Sequence, residues 1–113
     1  MISNLNLTEH EASALDELRT TLTSLLGSRL IGLTLFGSKA RGDYDEDSDL
    51  DVVVIVEGLD RALKRTIIDI VVDIEFQHDI VISSWVVSAE DFKKLRDRER
   101  RIVLDIEREG IKL

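Results

Sequence analysis

Asp49 and Asp51 stand two residues apart in Ser48-Asp49-Leu50-Asp51, at the head of an apolar, β-branched run that ends at Val56. Alternation along a strand points both carboxylates to one face, with Cα atoms about 6–7 Å apart, and turns Leu50 into the core. Two acids at that spacing can converge on magnesium, which binds through one or two carboxylates together with substrate phosphates. Placing them at the end of a core strand is penalised by repulsion and desolvation, and such violations gather at functional sites. Upstream lies Phe36-Gly37-Ser38-Lys39-Ala40-Arg41-Gly42, directly after another apolar run. Gly37 lets backbone approach a ligand closely, and the N–H groups that follow can face phosphate oxygens. The Ser38 hydroxyl adds a donor, Lys39 and Arg41 add positive charge, and arginine suits bidentate phosphate contact. The chemistry these residues suit is phosphoryl transfer, with a metal neutralising the charge that develops on a triphosphate.

Other polar residues read more plainly. Asp43, Asp45, Asp47, Asp49 and Asp51 alternate, but a calcium loop starting at Asp43 would need glycine and glutamate where Ser48 and Val54 stand. His10 and His78 have no partner at metal-ligand spacing, and helix-start and turn positions account for them. Ser83 and Ser84 lack the surroundings of a nucleophile elbow. Trp85 reads as packing, or as an interface anchor if it faces outward. Arg96, Arg98, Arg100 and Arg101, interleaved with Asp97 and Glu99, read as a solvated helix face.

The elements that must position the acids follow from periodicity. Thr8 and Glu11 have capping-box spacing. They open a helix whose apolar stripe is Ala12, Leu15, Leu18, Leu22, Leu25 and Leu26, ended by Gly27. Leu30 to Phe36 reads as a strand, and Gly37 to Ser48 as a loop or short helical turn. Leu50 to Val56 reads as a central strand buried on both faces. Asp60 caps a helix to about Phe76, with Leu63, Ile67, Ile70, Val71 and Ile74 inward. Asp79 to Val87 is the expected third strand. Ser88 and Asp91 repeat the capping spacing before a last helix with Phe92, Leu95, Ile102, Val103 and Ile106 inward. The charged stretch Arg96 to Arg101 is where that helix would break, and Gly110 is its expected C′ residue. The order α-β-β-α-β-α predicts an α/β fold: a small sheet with helices packed on it. The short link between the first two strands argues for a mixed sheet.

The 113 residues make one domain's worth of chain, residues 1–113, and 43% are hydrophobic, enough for a core. A domain this small buries its surface only marginally, so a homo-oligomer or partner subunit is compatible with it. There are no cysteines, hence no disulfide or zinc-thiolate site. Neither a leader pattern nor a run of about 20 apolar residues is present, and the expectation is a cytoplasmic protein off the membrane. The net charge of −8 argues against a nucleic-acid partner.

Gly37-Ser38 followed at this distance by Ser48-Asp49-Leu50-Asp51 resembles the signature of the DNA polymerase beta-like nucleotidyltransferase superfamily. Phe36 to Gly42 with Ser48 to Asp51 resembles its minimal nucleotidyltransferases, and so do Ser88-Ala-Glu-Asp-Phe92 and Glu107-Arg-Glu-Gly-Ile111. The resemblance spans nearly the whole chain and implies the nucleotidyltransferase fold. It implies a nucleoside triphosphate held by Gly37 and Ser38, with Arg41 and Ser48 assisting, and two magnesium ions on Asp49 and Asp51. It also implies a third carboxylate acting as general base. Asp79, at the head of the expected third strand, is the best match for that base and for a third metal ligand, and Asp73 and Glu75 are nearby alternatives on the preceding helix. The resemblance further implies transfer of AMP from ATP to a partner protein, in the manner of an antitoxin acting on a HEPN-domain ribonuclease toxin. Two other readings stand beside it: an antitoxin that acts by binding alone, and a catalytic subunit that modifies a small molecule.

Overall fold

The computed structural model describes residues 7–42 and 49–113. Ser48 and the acidic-loop residues Asp43, Asp45 and Asp47 lie outside the described residues. In chain order the elements are α1 (Glu9–Leu26), a short 3-10 turn (Gly27–Arg29), β1 (Leu30–Phe36), α2 (Gly37–Arg41), β2 (Leu50–Val56), α3 (Arg61–His78), β3 (Ile82–Ser88), α4 (Ala89–Asp97), α5 (Arg101–Glu109) and β4 (Ile111–Lys112). The strands lie in the order β3-β2-β1-β4. β1 pairs antiparallel with both β2 and β4, whereas β2 pairs parallel with β3. The sheet is mixed, as the short link before β2 predicts.

Helices α1, α3 and α4 start where their cap residues dictate. The Thr8 hydroxyl accepts from the Glu11 N–H, and the Glu11 carboxylate accepts from the Thr8 N–H at 3.0 Å, completing the capping box. Asp60 accepts from the Leu63 N–H, and Ser88 from that of Asp91.

Strand β2 separates two apolar layers by strict alternation. Leu50, Val52, Val54 and Val56 pack with Leu15, Leu18 and Leu22 of α1 and Ile67, Val71 and Ile74 of α3. Val53 and Ile55 pack on the other side with Val87, Phe92, Val103 and Ile106, beneath α4 and α5. Trp85 packs here too, tilted 45° against Phe92 with ring centroids 6.0 Å apart.

Several boundaries move. The last expected helix breaks into α4 and α5 at the charged stretch, where Glu99 takes a positive φ of 54°. Leu25 and Ile102 face outward, and Ala14 takes the inward place on α1. Gly110 is extended rather than left-handed. It is glycine because a Cβ there would overlap the Ile106 carbonyl oxygen and Thr34 Cγ2, where α5 turns into β4. β4 has too few residues to show periodicity.

The expectation that Asp79 opens the third strand is corrected. α3 runs two residues further than expected, to His78, and β3 starts at Ile82. Asp79 is the C-cap of α3, exposed and in the left-handed conformation with φ 52°. Aspartate tolerates that conformation better than most residues, so a helix end outcompetes a strand start there.

Candidate active site

Asp51 sits at the edge where β1 ends and β2 begins, paired in register with Phe36. Alternation gives it the face of Val53 and Ile55, the α4/α5 side, while Leu50 is buried on the α1/α3 side. Asp49 precedes β2, is exposed, and shares that face by its two-residue offset. Phe36 leads straight into α2. Gly37 takes φ +76°, and a Cβ built on it would overlap the Asp51 carboxylate and lie 3.1 Å from Asp51 Cγ. Backbone at the start of α2 therefore rests against the Asp51 side chain, an approach open only to glycine. The first N–H groups of α2 have no acceptor within the helix, as at any helix start. The structure thus brings together the two motifs that the sequence separates, Gly37-Ser38 and Asp49-Leu50-Asp51.

The electrostatics suit a cation. Partial burial raises the Asp51 pKa above the ordinary carboxylate range, and the neighbouring Asp49 charge raises it further, while Arg41 pulls the other way. A divalent ion between the two acids would relieve both raising effects. The donor set, two carboxylates beside a glycine-only backbone approach, fits magnesium bound jointly with substrate phosphates.

The two cations of α2 have separate placements. Lys39 is buried at 4% exposure, with Nζ 3.0 Å from Glu11 on α1. Glu11 thus serves both the α1 cap and α2. Arg41 is partly exposed, 3.5 Å from Glu109 of α5, and close enough to act on Asp51. Neither glutamate reads from the sequence as part of the site: Glu11 reads as a helix cap, and Glu109 stands out only within the segment Glu107 to Ile111.

The structure does not put Asp79 at the head of β3, where the sequence reading sets it. In the parallel register Asp51 faces Ser83 on β3, which is exposed and shares the Asp51 face. Asp73, Glu75 and Asp79 belong to α3 or its cap, and α3 packs on the opposite face of the sheet. Glu75 is engaged there, accepting from the Ile82 N–H at 3.0 Å. Among the described residues no cluster of three or more Asp, Glu, His or Cys could hold a metal. Parallel register would have pointed to Ser83, but it cannot be counted without the exact end of α3. Of the remaining expectations, His78 lies 3.1 Å from Glu17 of α1. No helix among the described residues is long and apolar enough to cross a membrane.

Residues 15–109 match the family model described as "Nucleotidyltransferase domain". A Methanocaldococcus jannaschii protein named "Putative protein adenylyltransferase" is 40% identical over 68 residues, covering 59% of this chain and 69% of that one. A second protein of the same name and organism is 34% identical over 85 residues, covering 75% and 81%. A crystal structure from Sulfolobus solfataricus, described as "a putative nucleotidyltransferase", aligns with a TM-score of 0.49 at 18% identity, covering 95% of this chain and 87% of that one.

Proposed function

This chain belongs to the nucleotidyltransferase domain family, and on that premise we propose that it moves AMP from ATP to a side chain of a partner protein, with magnesium held by Asp49 and Asp51. The observation that carries this reading is the contact of Gly37 backbone with the Asp51 carboxylate, which sets a phosphate-facing turn beside a pair of acids. The names of the two archaeal relatives support a protein as acceptor. The partner we favour is a HEPN-domain ribonuclease toxin.

Magnesium bound at the acids would neutralise charge on the triphosphate. Ser38 and the first N–H groups of α2 orient the phosphates, and Arg41 adds positive charge beside them. An acceptor hydroxyl oxygen forms a bond to the α-phosphorus, the bond from that phosphorus to the bridging oxygen breaks, and pyrophosphate leaves. The hydroxyl proton passes to solvent or to a base on the acceptor; among the described residues, the β3 residue in register with Asp51 is Ser83.

The test uses ATP radiolabelled at the α-phosphate, magnesium and a cell extract, followed by the intact mass of any labelled protein. We expect one AMP unit or more on a protein other than this chain, no label from γ-labelled ATP, and loss of labelling with Asp49→Asn or Asp51→Asn. Undiminished labelling with both variants overturns the assignment.

A second reading, neutralisation of the partner by binding alone, is favoured by one observation: Ser83 stands beside Asp51 where an acid would complete the site. Under that reading the same aspartate variants still neutralise the partner.

A further inference from the structure

Helix α3 carries a stripe that faces away from the sheet. Ile68 and Val72 are each 39% exposed and Phe76 is 84% exposed. Arg65 and Asp79, seven residues to either side of Val72, are exposed as well. At 3.6 residues per turn, Arg65, Ile68 and Phe76 fall within about 40° of the line through Val72, and Asp79 is the left-handed C-cap that follows the last helical residue, His78. The stripe reads basic, apolar, acidic from one end to the other. Asp69 and Asp73 stand to one side of it.

That pattern is complementary to itself when reversed. A two-fold axis perpendicular to α3 at Val72 sets Val72 on its own copy and Ile68 against Phe76 of the second copy. It also sets Arg65 against Asp79 of the second copy. A parallel arrangement would instead oppose Arg65 to Arg65 and Asp79 to Asp79. A shallow hollow of about 310 Å³, lined by Glu75, Phe76, Asp79 and Ile80, lies at the acidic end, where the arginine of the other copy arrives. We propose that two copies of this chain pair through antiparallel α3 helices, with an Ile68–Val72–Phe76 seam closed at each end by an Arg65–Asp79 ion pair. An isologous contact of this kind closes on itself and forms a dimer, not a filament. α3 lies on the sheet face opposite Asp51, so both candidate active sites stay open.

Sedimentation velocity on the full chain, from micromolar to millimolar concentration, tests the pairing. We expect a dimer that Phe76→Asp converts to monomer, with the circular dichroism of the fold retained. Arg65→Glu and Asp79→Lys should each weaken dimerisation about 10-fold or more, since like charges then oppose across the seam. The double variant Arg65→Glu/Asp79→Lys should recover most of the loss, an outcome unique to the reversed register. A wild-type chain that stays monomeric, a dimer that survives Phe76→Asp, or a double variant no better than the single ones overturns the proposal. A monomer whose binding to a different protein is lost with Phe76→Asp also overturns it and assigns the face to that partner.

Discussion

At the residue scale the site is set by one close approach and one perturbed acid. Gly37→Ala places a methyl group into the Asp51 carboxylate at a φ of +76°. We expect the left-handed backbone alone to destabilise the fold by roughly 1–2 kcal/mol, read as a lower urea midpoint, with transfer falling by roughly 100-fold or more as Asp51 is displaced. Retained activity would show that the contact is incidental. The Asp51 pKa is raised in the fold by burial and by Asp49. Between its unfolded and folded values the native state holds a proton that the unfolded chain has released. Its contribution to stability is therefore complete at low pH and is lost as pH rises through the raised value. Asp51→Asn is neutral throughout, so without divalent ions the variant should melt above wild type at neutral pH, and the difference should vanish in acid. A lower melting temperature at neutral pH would mean that the charged carboxylate is stabilised by its surroundings.

At the element scale, short α2 is held from two directions. Lys39 ties it to α1 through Glu11, and Arg41 ties it to α5 through Glu109. The first tie is buried, so removing Lys39 leaves the Glu11 carboxylate without its cation. Lys39→Met should destabilise by about 3 kcal/mol, whereas Arg41→Met, at a partly exposed pair, should shift stability by less than about 1 kcal/mol. Equal losses in chemical denaturation would contradict this ranking. Ser83 belongs to this scale as well, because only the β2–β3 register brings it beside Asp51. Ser83→Asp adds a third carboxylate on the same face. It should tighten magnesium binding measured by calorimetry, and raise transfer if a further carboxylate at this position serves the reaction. Unchanged or weaker affinity would indicate that Ser83 points away from the bound ion.

At the scale of the whole molecule, charge and ligand linkage govern behaviour. The net charge is −8, and the paired acids add local repulsion. A cation that binds only the folded state stabilises by mass action, about 2.7 kcal/mol at 100 times its dissociation constant. Magnesium should therefore raise the melting temperature of wild type and leave the Asp49→Asn/Asp51→Asn variant unmoved. An equal rise in both would point to general screening in place of a specific site. The sheet separates the proposed functions: the α4/α5 face carries the acids and the α1/α3 face carries the exposed stripe.

What the sequence determined by itself was local. Caps at Thr8, Asp60 and Ser88 are written in adjacent residues, because a cap is satisfied within a single turn. The unbroken apolar, β-branched run Val52 to Val56 announced a strand buried on both faces, since a half-buried strand would alternate with polar residues. The Gly37-Ser38 and Asp49-Leu50-Asp51 motifs pointed to the site by residue type. Only the tertiary structure decided which distant groups meet. It placed Gly37 against Asp51, buried Lys39 on Glu11, and set Ser83 opposite Asp51. Asp79 was misplaced because it lies where a helix and a strand compete. That competition is settled by packing of Ile74 and by the Glu75 hydrogen bond to Ile82, contacts that one-dimensional periodicity does not carry.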